Sequence, residues 1–166
     1  MMTRLIPIQQ PVHMETLKNL VSLYLHDLSA YTSELQPNEQ GVFEYEGLHL
    51  YEQDERLHAF LISHDSHIAG FVMVNEPPYT ADEVDYCVNE LFVLNAFRKK
   101  GVAQAAIELV FEKFPGKYLN LQMVENARAI AFWRKVYERI GIPYSEAETL
   151  YDGELCNVQH FATSKS

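Results

Sequence analysis

The chain has 166 residues, 48% apolar and 22% charged, which excludes disorder and collagen-like repeats and leaves room for a sizeable core. Its net charge of −10 argues against a nucleic-acid-binding surface, and no apolar run reaches the roughly 18–20 residues of a membrane span. The charge is uneven: residues 1–97 hold 3 Lys/Arg against 15 Asp/Glu, whereas residues 98–139 hold 9 against 4. Such a division suits a domain, expected to span 1–166, that handles two ligands of opposite charge. Solvated faces of different sign are the plainer explanation. Cys87 and Cys156 are too few for a disulfide framework, and no Cys/His spacing suggests zinc. The opening MMTRLIPIQQPVH lacks a secretory apolar stretch, so a cytoplasmic protein is expected.

Thr3–Gln9 reads as a first strand, with Pro7 favouring an edge. From Val12 to Leu28, the residues Leu17, Leu20, Val21, Tyr24, Leu25 and Leu28 recur at helical spacing. Residues 29–56 are irregular, acidic and aromatic, with a short helix and loops expected. His58–Ile62 and Ile68–Val74 read as a hairpin around SHDSH. The histidines of that turn, His64 and His67, are expected to be solvated rather than metal-bound, since no third ligand lies near in sequence.

In the next strand, Val84–Leu94, the apolar residues Val84, Tyr86 and Val88 fall on even positions, but Leu91 and Val93 fall on odd ones. A β-bulge near Asn89–Glu90 would change the parity in this way. A strand buried on both faces is the alternative, because Phe92 and Leu94 are apolar too. Gly101–Phe114 has a helical stripe of Ala103, Ile107, Val110 and Phe114, ended by Pro115-Gly116. Tyr118–Met123 is a short strand. Asn126 is an N-cap for a helix through Ile140 with the stripe Ile130, Trp133, Tyr137 and Ile140. Gly141 and Pro143 stop it, and two strands follow near 145–150 and 155–162. The order β–α(α)–βββ–α–β–α–ββ predicts a mixed α/β sheet.

The segment Phe92–Ala103 runs from a strand through a basic turn into a helix. The first N–H groups of a helix lack intrahelical partners and sit at the positive end of its dipole. Gly101 allows close approach, Ala103 adds little bulk, and Arg98, Lys99 and Lys100 add positive potential. These features make an anion site suited to a pyrophosphate. Neither a G-x-x-x-x-G-K-[ST] loop nor a helix-opening G-x-G-x-x-G is present.

RKKGVA matches the (Q/R)-x-x-G-x-(G/A) signature of the GNAT superfamily of N-acetyltransferases. NELFVLNAF resembles that family's fourth strand, and NARAIAFW from Asn126 resembles its Asn-opened helix with an aromatic pair. The resemblance implies about seven strands, mostly antiparallel, with helices on both faces and a splay between the fourth and fifth strands. It implies acetyl-CoA as donor and requires no metal. Backbone N–H groups from Arg98, Lys99, Lys100, Gly101, Val102 and Ala103 would hold the pyrophosphate. Main-chain groups of Phe92 and Val93 would meet the pantetheine arm, with Asn126 and Phe132 along its other side.

The sequence departs from the family at Trp133, seven residues after Asn126, where a tyrosine acid often stands. An indole N–H is no useful acid. Tyr137, one turn on and four residues before Gly141, is the candidate acid, with a packed core role as the alternative. Glu90 at the suspected bulge is the candidate base, and Asp85 and Glu125 compete with it. The acceptor site is expected in the N-terminal third. Tyr24, Tyr31, Phe43, Tyr45 and Tyr51 accompany Glu34, Glu39, Glu44, Glu46, Glu52, Asp54 and Glu55 there, which suits a cationic amine, free or on a protein. The competing function is a GNAT-fold module that binds or senses acyl-CoA without turnover.

Overall fold

The computed structural model describes residues 2–164. Strand β1 (Thr3–Pro7) leads into helix α1 (Pro11–Leu28). A loop with a 3-10 turn at Leu48–Glu52 then reaches β2 (Leu57–His64), β3 (His67–Asn75) and β4 (Cys87–Val93). Helix α2 (Val102–Lys113), β5 (Lys117–Met123), α3 (Ala127–Ile140), β6 (Tyr144–Tyr151) and β7 (Glu154–Ala162) complete the order. The expected order holds, except that the second N-terminal helix is only the 3-10 turn. No helix among the described residues is long and apolar enough to cross a membrane.

Strands β1-β2-β3-β4 form one antiparallel sheet, and β5-β7-β6 form another. Pro7 lies on outer strand β1, where its missing N–H does least harm to the ladder. Asp65 and Ser66, both at positive φ, make the tight turn between β2 and β3. The flanking histidines therefore belong to the strands rather than to a solvated turn. His64 is buried, its Nδ1 3.0 Å from the Thr3 hydroxyl opposite it in β1, while His67 stays exposed.

Alternation along the strands sorts the core into two layers. Phe60, Ile62, Val72, Val74 and Val88 pack with Ile107 and Val110 of α2 and Trp133 of α3. Ala59, Leu61, Phe71 and Met73 face the other way, onto Leu17 and Val21 of α1. Each such buried side chain contributes roughly 1.5–3 kcal/mol, so the helices are held to the sheet chiefly by these stripes.

The suspected bulge exists. Met73 pairs with Glu90 and Val74 with Val88, leaving Asn89 as the extra residue. Before it, even-numbered Val88 faces α2; after it, Leu91 and Val93 do, and Phe92 turns to α1. The bulge thus carries Glu90 from the α2 side to the α1 side of the sheet.

The two sheets meet along a short parallel seam. Asp85 and Tyr86 donate N–H groups to the Lys117 carbonyl (2.9 and 3.0 Å), and Leu119 N–H donates to the Tyr86 carbonyl (3.1 Å). The next rung is not backbone to backbone: Val88 N–H donates to the Asn120 side-chain oxygen at 2.9 Å. Past it, no described residues of β4 and β5 pair, and the strands diverge. The sheet splits where a side chain takes over the ladder.

Candidate active site

The diverging strands leave one edge of β4 without a partner strand. The Phe92 carbonyl points at β3: a Cβ built on Gly70 would lie 1.9 Å from it. Only glycine allows that approach. The Val93 carbonyl points the opposite way and accepts from Arg98 Nε at 2.7 Å. In an antiparallel strand the N–H and C=O of one residue share a direction, which reverses at the next residue. The open edge therefore presents the main chains of Val93 and, two residues back, Leu91. Of the expected pair, Val93 is oriented toward the opening and Phe92 is not. The expectation of Phe92 and Val93 comes from the family resemblance, and the register set by the bulge puts Leu91 rather than Phe92 on the open edge.

The loop after β4 makes a 3-10 turn at Asn95–Phe97, then reaches Gly101, the N-cap of α2, at φ +75. The Arg98 N–H is used within that turn, donating to the Asn95 carbonyl at 3.2 Å, so it is not free for an anion. Its side chain is committed as well, with Nη2 3.0 Å from Asp27 of α1 and the guanidinium 5.6 Å from the centre of the Phe92 ring. Lys99, in the left-handed region at φ +62, and Lys100 remain exposed. No side chain caps α2, and its first internal bond is Ala105 N–H to the Gly101 carbonyl at 3.0 Å. The N–H groups of Val102, Ala103 and Gln104 are thus the helix-start donors. The Val102 side chain is buried while its backbone opens the helix. Gln104 is an addition to the expected set, predictable only once the N-cap is fixed at Gly101. A Cβ on Gly101 would meet nothing within 4 Å, so the space before the helix is open to a ligand.

On the α1 face of β4, Glu90 is partly buried and its Oε1 accepts from the Tyr24 hydroxyl at 2.9 Å. The Asn89 amide donates to the Tyr45 hydroxyl (2.9 Å), and Tyr51 donates to Asn75 Oδ1 (2.7 Å). Burial pushes the Glu90 carboxyl up to about 7, against hydrogen bonding by Tyr24 and Tyr45 that favours the charged form. The same burial, with Glu90 as a negative neighbour, raises the phenols of Tyr24 and Tyr45, and burial raises Tyr51 to about 12. Three of the expected tyrosines therefore converge on the expected base. Tyr31 and Phe43 take no part in that hydrogen-bonded cluster; Phe43 packs against His26 instead. Glu34, Glu39, Glu44, Glu46, Glu52 and Glu55 are exposed, and Asp54 pairs with Arg56. Of the competing bases, Asp85 accepts from Lys117 N–H at 2.9 Å, and Glu125 is exposed.

The remaining candidates lie on α3. The Asn126 side chain caps the helix, accepting from Ala129 N–H at 3.2 Å. Phe132 is partly buried, edge-on to buried Trp133. Tyr137 has no exposed surface; its hydroxyl donates to Gln159 Oε1 at 3.0 Å and accepts from Asn120 Nδ2 at 3.3 Å. Burial raises this phenol well above its ordinary value. Tyr137 is thus placed in the core, behind the Asn120 side chain that closes the seam, not on an accessible wall of the cleft. Among the described residues no group of three or more His, Cys, Asp or Glu is disposed to hold a metal.

The sequence profile of the Acetyltransferase (GNAT) family matches residues 20–137, from within α1 to within α3. This is most of the chain, and the protein belongs to that family. In fold it is similar to an acetyltransferase from Thermus thermophilus, at 17% identity and TM-score 0.67, with 96% of each chain covered. It is also similar to the ribosomal-protein-S18-alanine N-acetyltransferase from Escherichia coli, at 15% identity and TM-score 0.60, covering 99% of this chain and 96% of that one. The spermidine/spermine N-acetyltransferase SpeG from Vibrio cholerae aligns at 16% identity and TM-score 0.56, covering 96% and 91%. Identities this low establish likeness of fold. No curated protein matches the chain significantly in sequence.

Proposed function

We propose that the chain, acting as one cytoplasmic domain, is an acetyl-CoA-dependent N-acetyltransferase. The acceptor is a primary amine of a cationic molecule, free or on a protein, and it attacks directly in a ternary complex. The observation that carries this reading is Glu90. It is a partly buried carboxyl raised to about 7, turned by a bulge onto the α1 face at the point where β4 leaves β5.

Acetyl-CoA, when bound, supplies the thioester that is attacked and the thiolate that leaves. The open geometry at Gly101 and the unpartnered N–H groups of Val102, Ala103 and Gln104 suit its pyrophosphate, with Lys99 and Lys100 adding positive potential. Val93 offers its main-chain N–H to the pantetheine, its carbonyl being held by Arg98, with Asn126 and Phe132 on the far wall. An amine attacks only when neutral, and an ammonium gives up its proton most readily to a base poised near the operating pH. Glu90 meets that condition, and the acidic lobe 1–97 favours a cationic acceptor. A thiol of ordinary pKa, about 8.5, leaves as thiolate without help from a buried phenol, so Tyr137 is not needed as an acid. Holding the two reactants in line supplies much of the acceleration.

The test is thiol release from acetyl-CoA with a panel of polyamine, aminoglycoside, lysine-peptide and peptide N-terminal acceptors. At least one amine is expected to turn over, with Glu90→Gln slower by about 10²–10⁴-fold at neutral pH. Buried Trp133, standing where the family often has a tyrosine, favours one second reading, an acyl-CoA sensor. Tight acetyl-CoA binding with no turnover on any amine would establish it instead.

A further inference from the structure

We propose that Tyr24 is a positioning residue that acts through Glu90: its hydroxyl holds one carboxylate oxygen, fixes the direction in which the other meets the incoming amine, and stabilises the ionised form. The proposal rests on the reading of Glu90 as the base.

The groups facing Glu90 come from every element packed around it: Tyr24 from α1, Tyr45 from the loop, Tyr51 from the 3-10 turn and Cys87 from β4 itself. None is a cation, and among the described residues Glu90 makes no ion pair. Hydroxyl donors are therefore what its charge has to rely on. Tyr51 directs its proton to Asn75, and Tyr45, whose oxygen takes a bond from Asn89, is a more distant donor to Glu90; the close donor is Tyr24, at 2.9 Å. The Tyr24 ring is clamped, edge-on to Phe71 with centroids 5.5 Å apart and tilted on Phe92 at 5.8 Å. Its helix is tied down one turn further on, where Asp27 meets Arg98 of the loop before α2. An oxygen already accepting a hydrogen bond is the poorer base, so the ammonium proton passes to Oε2, giving a neutral amine and the carboxylic acid. Tyr24 thus selects which oxygen does the work, without touching the amine.

Tyr24→Phe keeps both ring contacts and removes only the hydroxyl. The full-length protein, labelled with ¹³C at the glutamate carboxyls, is titrated by NMR, with the Glu90 signal identified by its loss in Glu90→Gln. Losing a hydrogen bond to the charged form is expected to raise the Glu90 midpoint by about one pH unit. Placing 3-fluorotyrosine, a stronger donor, at position 24 alone is expected to lower it and serves if Tyr24→Phe does not fold. With an amine accepted in the panel, the acidic limb of kcat moves by the same amount and the rate recovers at high pH. A merely structural role would lower the rate at every pH and leave the midpoint where it was. A folded Tyr24→Phe protein with an unmoved Glu90 midpoint overturns the role of Tyr24 alone. Wild-type turnover in Glu90→Gln overturns the base assignment, and Tyr24's role with it.

Discussion

Gly101 and Gly141 form a matched pair that separates backbone strain from ligand binding. Both cap helices in the left-handed region, at φ +75 before α2 and φ +79 after α3, and a Cβ added to either would meet nothing within 4 Å. Replacing either by alanine therefore costs only the conformational penalty of an L residue there, about 1–2 kcal/mol. For a chain of this size that lowers Tm by roughly 2–8 °C, a modest part of the ordinary 5–15 kcal/mol of stability. The pair differ only in what the open space is for. At Gly101 the added methyl enters the volume assigned to the pyrophosphate and pushes it off the N–H groups of Val102, Ala103 and Gln104. Acetyl-CoA affinity should fall at least tenfold, or about 1.4 kcal/mol, with a larger loss for valine. Gly141→Ala should lose the same stability and none of the affinity. Calorimetric titration with acetyl-CoA beside thermal melts of both variants makes the comparison. Equal affinity in folded Gly101→Val and the wild type would refute the anion site before α2.

Two further outcomes follow from the buried titratable groups. Tyr137→Phe removes a hydroxyl shared by Asn120 and Gln159, so urea unfolding should show a loss of about 1 kcal/mol while the alkaline limb of kcat keeps its midpoint. A limb that disappears would restore Tyr137 as the acid. Glu90 is raised from 4.5 to about 7 on folding, so between those values the folded chain holds the extra proton and stability falls as pH rises. Glu90→Gln should accordingly stabilise the protein by about 1–3 kcal/mol at pH 8 and by little at pH 4.5; an equal gap at both would show that the carboxyl is not buried as described.

Most of the fold was legible because its signals are local. The 3.6-residue stripes of α1, α2 and α3 appear as buried faces, and Asn126 and Gly141 bound α3 as their chemistry dictates. The parity change between Val88 and Leu91 marked a real bulge, since a residue inserted into one strand must flip every side chain after it. Where reading failed, a partner distant in sequence decided the matter. His64 leaves solvent because Thr3 lies opposite it, sixty-one positions away. Phe92 rather than Val93 faces β3 because of where the bulge sets the phase, which needs the register and not only the presence of the bulge.

The same distinction divides the site. The proposed donor side, apart from Asn126 and Phe132, is written in one contiguous stretch, Leu91 to Gln104, because a strand, a turn and a helix start are consecutive by construction. A single motif can therefore be read from it. The proposed acceptor side draws Tyr24, Tyr45, Tyr51, Asn75, Asn89 and Glu90 from α1, a loop, a 3-10 turn and two strands. No spacing rule joins them, since each is fixed by packing of a different element onto the sheet. Composition could say only that the region was acidic and aromatic. Most of its carboxylates turn out to be exposed, and the proposed base, Glu90, comes from β4 rather than from the acidic loop. On the function proposed above, the excess negative charge of residues 1–97 would draw a cationic acceptor from a distance, while proton transfer would rest on Glu90 and the phenols around it. Attraction and proton transfer would then be carried by different residues, and only attraction would leave a trace in the net charge.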